Sequence, residues 1–531
     1  MAVNTITLAA VTLLYLAAII TLGWLGYRHT KEHEDYLVAG RRIHPAILAL
    51  SYGATFISTS AIVGFGGVAA QLGMGLIWLT VLNIGVGIFL AFIIFGKKTR
   101  EIGQRLHAVT FPDLLGKCYA SKFMRYAAGL VIVVAMPLYT AAILIGGARF
   151  IETTLAIPYD SALLGFAAIV ALYVVLGGLI AVMYTDAMQG AIMLVGMTIL
   201  LVLTYVHLGG VMEAHAALDS LTSMVPEAMV AAGHTGWTSM PVLGSPLWLT
   251  LVTTIVLGVG IGVLAQPQLV VRFMTVKDSR AIHRAVFIGG PFILMMTGVA
   301  FTVGALTNVY FVQNTGSIAL EVAGGNVDAI IPAYINASMP DIFIIVFMLA
   351  LLAAAMSTLS SLIHTMGTAL GHDIWRSIRG NVPSLRASQT GCVLMIVVSV
   401  GLAYLMPVSI IARATAMFMG LCAAAFLPAY AAALYARTPS RNAAIASLVA
   451  GTTAWFLWTA FVHKAESSVL GVSQAIFGVP ALLSNFWQVV DPLIIALPLS
   501  TVVLLVGMAL DRTGADTGEI IGEGDAGEAL R

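Results

Sequence analysis

Four hydroxyl side chains crowd into five positions of one apolar run. They are Ser357, Thr358, Ser360 and Ser361, in Leu351-Leu352-Ala353-Ala354-Ala355-Met356-Ser357-Thr358-Leu359-Ser360-Ser361. Wound as a helix, they fall within an arc of about 160°. Such a face offers a cluster of neutral oxygens, which suits a small hard cation such as a sodium ion. Each hydroxyl could instead return to the carbonyl three or four residues back. Four in five positions favour the cation without removing that second use. One carboxylate can join them: Asp186, in Met183-Tyr184-Thr185-Asp186-Ala187-Met188-Gln189-Gly190, whose nearest basic residue in the sequence is Arg149. An ionisable group in so apolar a setting is a functional position by default. Asp186 could also cap the start of a following helix.

Two further stretches mix small residues, polar residues and helix breakers. One is Ser51-Tyr52-Gly53-Ala54-Thr55-Phe56-Ile57-Ser58-Thr59-Ser60, followed by Gly64, Gly66 and Gly67. The other carries Gly258, Gly260 and Gly262, then Gln266-Pro267-Gln268. Irregular backbone at membrane depth is tolerated where it lines a cavity or is buried in protein. Small residues also serve close helix packing. The matched pair favours a cavity.

The elements that hold these residues are membrane helices. The chain of 531 residues is 60% hydrophobic and 9% charged, against about 25% charged in soluble domains. A net charge of +1, with no basic patch interleaved with aromatics, gives no sign of a nucleic-acid partner. Cys118, Cys392 and Cys422 form no close-spaced motif, so neither a disulfide framework nor a zinc site is indicated. The first apolar run, Thr5 to Tyr27, has no Lys or Arg before it and is as long as a full span, so it reads as a retained helix. A crossing takes about 20 apolar residues. That rule predicts about 13 spans, near 5–27, 46–70, 75–96, 126–148, 160–181, 187–208, 247–271, 285–310, 341–370, 388–406, 409–435, 443–463 and 492–510. With the N-terminus outside and the C-terminus inside, about 22 of the 25 Lys and Arg fall on the inner side; Arg149, Arg413 and Lys464 are the exceptions. The inner set includes Arg272 and Lys277, and also Arg376, Arg379, Arg386, Arg512 and Arg531.

The two interrupted spans are second and seventh in this count. They would hold equivalent places in two inverted halves of five helices, with a binding site at the midplane.

The chain also resembles the sodium/solute symporter family. The resemblance runs from the first span to about the twelfth. It is carried by Asp35-Tyr36-Leu37-Val38-Ala39-Gly40-Arg41, Gly147-Ala148-Arg149, Gly177-Gly178-Leu179 leading to Thr185-Asp186 and Gln189, and Ala353-Ala354-Ala355-Met356-Ser357-Thr358. It implies an all-α membrane protein with a leucine-transporter-type 5+5 inverted repeat. Its parts would be a peripheral helix and loop (1–45), a first repeat (46–208), an extracellular loop (209–246), a second repeat (247–435), peripheral helices (436–510) and a disordered tail (511–531). It further implies sodium as the coupling ion, held by the carbonyls of Ala54, Ile57 and Ala354 and the hydroxyls of Ser357 and Thr358. A second sodium position would draw on Asp186, Ser357, Ser360 and Ser361.

Within the family, Gly146 to Thr153 with Ile157-Pro158-Tyr159, and Val276 to Arg284, look most like the pantothenate branch. Tyr139 matches a tyrosine of the proline branch, yet Phe56 stands where that branch has an aspartate, which weakens proline as solute. Ser58, Thr59, Gln266 and Gln268 flank the breaks and are the other candidate solute contacts. His364 reads as a satisfied core residue and Arg413 as a snorkelling one. The expectation is therefore sodium-coupled symport of a small organic solute across the cell membrane by a multi-pass protein. A transporter-like sensor is the alternative, disfavoured because the stretch from Asp511 is too short for a signalling domain. An enzyme is disfavoured too, since neither a His-Glu-x-x-His motif nor a Gly-x-Ser-x-Gly elbow occurs.

Overall fold

The computed structural model describes residues 5–155, 157–375, 378, 384–406 and 411–518. Arg376, Arg379 and Arg531 lie outside them. Every regular element among the described residues is helical, as lipid requires of a chain that cannot hydrogen-bond to water. Eleven helices are long and apolar enough to cross a membrane.

Two of the eleven are about twice the length a bilayer needs. The 49 residues of Tyr159–His207 divide at Gly178, which has φ 56° and ψ −153°. Only glycine adopts that conformation cheaply, and a Cβ there would stand 2.4 Å from the Tyr36 ring. The break thus falls at Gly178 rather than in 182–186. Asp186 is therefore inside a helix and not at its start, which overturns the capping role. The 46 residues of Ser60–Arg105 divide near Gly73, with φ 81°.

The basic loops meet at one end. Arg41 donates to the carbonyls of Ala108 and Met274, and Arg100 to Ser279 and Lys277. The opposite end is covered by the loops 209–246 and 316–340. Trp237 is buried there and donates to the Ala70 carbonyl at 2.8 Å; Asn308 donates to the same oxygen.

Burial sorts the helices into a centre and a ring. The apolar window is 83% buried in Asp341–Ile374 and in Ile411–Tyr435, but 22% in Thr7–His29 and in Pro492–Asp511. The serine-rich helix Asp341–Thr368 is therefore central, packed chiefly on Tyr159–His207. Glycines allow the close approaches: a Cβ on Gly304 would stand 2.1 Å from the Gly66 carbonyl oxygen. The last helix, Pro492–Gly518, runs past Asp511, so the first part of the expected tail continues it. Asp511 accepts a hydrogen bond from Ser440, and each residue added to an existing helix gains a backbone bond at little further cost. Residues 519–531 lie outside the described set.

Candidate functional site

The second span is two helical pieces. Pro45–Phe56 begins with Pro45 at its first position, and the His44 side chain accepts from the Ala46 N–H. It ends at Ile57, which is extended (φ −88°, ψ 92°) and whose N–H makes the last bond, to Gly53. The chain restarts at Ser58, whose carbonyl accepts from Ala61 and Ile62. The break leaves the last carbonyls of the first piece without the following turn.

Side chains from the serine-rich helix meet those carbonyls. Ser357 Oγ donates to the Ala54 carbonyl at 2.8 Å and to the Ala354 carbonyl at 3.1 Å. Thr358 Oγ1 donates to the Thr55 carbonyl at 3.1 Å. Ala54, Ala354, Ser357 and Thr358 thus converge, all fully buried. Ile57 lies in the break itself and is buried. The Thr55 carbonyl was not anticipated; a ligand read by backbone position leaves no residue-type signal. The oxygens sit at the C-terminal, electronegative end of Pro45–Phe56, which favours a cation.

One turn further along, the other hydroxyls serve two partners. Ser360 and Ser361 each donate to the Ser357 carbonyl at 2.9 Å, the local use open in the sequence. They also face Asp186, Ser360 at 3.2 Å from Oδ1 and Ser361 at 3.4 Å from Oδ2. Asp186, Ser360 and Ser361 are thus together, with Ser51 and Thr55 donating to Asp186 Oδ2 at 3.0 and 3.1 Å.

Arg272 joins them, and this corrects its expected place in a solvated inner loop. It is fully buried. Its Nη2 lies 2.8 Å from Asp186 Oδ2, 2.6 Å from Thr55 Oγ1 and 2.5 Å from Ser361 Oγ. Its Nε donates to Ser51 at 3.0 Å, and Nη1 to the Gln268 carbonyl. The seventh span delivers it. Its first part, Pro246–Ala265, ends at Gln266 (φ −69°, ψ 119°). That extended form is what a following proline imposes, and Pro267 opens the short helix Pro267–Phe273. An arginine so soon after a membrane-depth break was the overlooked signal.

A small cavity of about 10 Å³, room for a single water, lies against the break in the second span. Ser58, Asn83, Thr297 and Thr415 supply its polar wall, and Phe56, Phe65, Phe301 and Met419 much of the rest. Asn83 Oδ1 is buried and has no hydrogen-bond partner among the described residues. Of the expected solute contacts, Ser58 lines this cavity. Tyr139 stands behind it, donating to Ser58 Oγ at 3.4 Å and stacking on Phe418. Thr59 is buried with its hydroxyl unpartnered among the described residues. Gln266 and Gln268 bond each other at 2.5 Å and are not in the cavity wall. His364 Nε2 donates to the Tyr36 carbonyl, 2.8 Å away, a satisfied core position. Arg413, exposed at the far end, reaches the Ala465 carbonyl.

The family model for sodium:solute symporters matches residues 36–488. The chain belongs to the sodium:solute symporter family. The sodium/pantothenate symporter of Haemophilus influenzae is 28% identical over 454 residues, covering 85% of this chain and 89% of that one. Sodium/proline symporter 2 of Staphylococcus saprophyticus is 25% identical over 490 residues, covering 89% of each. A Na+-coupled sialic acid symporter, solved substrate-bound and outward-open, superposes with a TM-score of 0.73 at 18% identity, covering 95% of this chain and 97% of that chain. This symporter is accordingly an all-helical protein of leucine-transporter-type fold, embedded in the cell membrane by multiple passes. Sodium is its coupling ion, its substrate is a small molecule, and it is a carrier rather than an enzyme.

Proposed function

We propose that this symporter uses inward sodium flow to accumulate a small organic carboxylate, with pantothenate, monocarboxylates and amino acids as the candidate solutes. One observation carries the ion-coupled part. The hydroxyls of Ser357 and Thr358 stand against the Ala54 and Thr55 carbonyls at the break in the second span. A sodium ion seated there, with the Ala354 and Ile57 carbonyls completing its shell, joins the second span to the ninth. Asp186 with Ser357, Ser360 and Ser361 is the proposed second position.

We assign the solute to the same break, where the small cavity must widen to admit it. Ser58 opens the outer half of the second span and lines the cavity. The positive end of that half-helix favours a carboxylate, while Phe56, Phe65 and Phe301 suit an apolar body. The 28% identity to a sodium/pantothenate symporter over most of both chains supports this solute class.

In the cycle we infer, sodium from outside orders the break, the solute then binds, and the loaded carrier rocks toward the end where the basic loops gather, which we take as cytoplasmic. One charge crossing 100 mV is worth about 2.3 kcal/mol. A tenfold sodium gradient adds about 1.4 kcal/mol. One ion therefore supports roughly a few-hundred-fold accumulation of a solute without net charge, such as a zwitterionic amino acid, and about tenfold accumulation of a monoanionic carboxylate, whose charge cancels the ion's. Sodium and solute must raise each other's affinity, since coupling is reciprocal.

Purified protein in liposomes, given an inward sodium gradient and a panel of pantothenate, proline, lactate, sugars and sialic acid, tests the proposal. Sodium-dependent accumulation of a carboxylate is expected. Accumulation of sugars alone, or equal uptake with potassium replacing sodium, would overturn it.

A further inference from the structure

The two oxygens of Asp186 have different partners. Oδ1 accepts from Ser360 at 3.2 Å. Oδ2 faces the Arg272 guanidinium at 2.8 Å. The same guanidinium donates to Ser361 Oγ and Thr55 Oγ1. Two oxygens that a second cation would use, Asp186 Oδ2 and Ser361 Oγ, are thus already engaged by a positive charge of the protein's own. An oxygen accepting an N–H from a guanidinium turns its lone pair to that group and is a poorer ligand for an ion. Among the described residues Arg272 is the ion-pair partner of Asp186, and both are fully buried. The pair leaves this pocket electrically neutral before any ion arrives. A sodium ion between Asp186 Oδ1, Ser357 and Ser360 must share the carboxylate with a second cation, at a depth where like charges repel strongly.

We propose that Arg272 is a built-in competitor for sodium at Asp186. The guanidinium compensates the carboxylate when no ion is there, and a sodium ion can bind tightly only by displacing it. Arg272 is in this sense a positioning residue that sets the affinity of the second sodium position. It sits on Pro267–Phe273, the piece that follows the seventh-span break, while its partners sit on Pro45–Phe56, Tyr159–His207 and Asp341–Thr368. Occupation of the second position is thereby tied to how that short piece is held against three others.

The inference rests on the sodium-symport reading. Its test is sodium binding to purified protein at constant ionic strength, by radioactive sodium and by melting temperature, in wild type, Arg272→Gln and the double variant Asp186→Asn/Arg272→Gln. Arg272→Gln should bind a further ion at least tenfold more tightly than wild type, and sodium should raise its melting temperature more steeply. The double variant, lacking the carboxylate, should lose that extra ion. Arg272→Gln that binds sodium as wild type does would overturn the proposal. So would Arg272→Gln that stays unfolded in saturating sodium, because the ion is predicted to take the guanidinium's place. Wild-type protein that binds no sodium would instead sink the transport reading itself.

Discussion

The second and seventh spans are both broken at membrane depth, yet the two breaks are held in different ways. At the second, the freed carbonyls of Ala54 and Thr55 are met by neutral hydroxyls from another helix, Ser357 and Thr358. At the seventh, Pro267 imposes the break locally, and the short helix beyond it is fastened by a buried charge pair, Arg272 with Asp186. Neutral hydroxyls can exchange a carbonyl for an ion at little cost. A buried guanidinium cannot leave its carboxylate without a replacement charge. The second break is thus suited to ligand exchange, and the seventh to holding structure until a cation arrives.

The largest effect should come from the charge pair. Asp186→Asn leaves a buried guanidinium unpaired, which costs about 3–5 kcal/mol, read as a fall in melting temperature of the purified protein. Neutralising Arg272 as well should recover most of that loss, a non-additivity expected of touching residues. Equal losses for the single and double variants would erase the distinction between the breaks. Ser357→Ala should by contrast cost about 1 kcal/mol of stability, the worth of a neutral hydrogen bond.

The smallest effect concerns what rests on the outer half of the second span. There Thr415 donates to Ser60 at 2.7 Å, and the Ile411 N–H that begins the same helix donates to Asp328. Burial pushes the Asp328 carboxyl up to about 6. Its raised value means the folded state holds the proton more tightly than the unfolded chain. The associated stability is full below about pH 4 and is lost as pH rises through about 6. Wild type should lose on the order of 1 kcal/mol over that window, and Asp328→Asn should flatten the dependence of melting temperature on pH. An unchanged slope in the variant would place the titration elsewhere.

The helical membrane fold was readable because lipid makes hydropathy and basic loops strong signals; the serine face and the Ala54–Ser60 stretch were readable because several polar residues cluster locally. What escaped depends on distance in sequence. Arg272 looked like a loop residue because Asp186, its counter-charge, is 86 residues away along the chain. Asn83, Thr297 and Thr415 each lie singly in an apolar span, and their shared cavity exists only after three helices pack. The break at Gly178 was misplaced toward Asp186 because a single positive-φ glycine, unlike a polar cluster, leaves hydropathy unchanged.

Half-saturating sodium for solute uptake in liposomes, compared between wild type, Ser357→Ala and Thr358→Ala, tests the account most directly. If these hydroxyls and the carbonyls beside Ala54 hold the ion, each variant needs at least about tenfold more sodium, equivalent to about 1.4 kcal/mol, while maximal uptake at saturating sodium persists. Wild-type sodium dependence in both variants would contradict it.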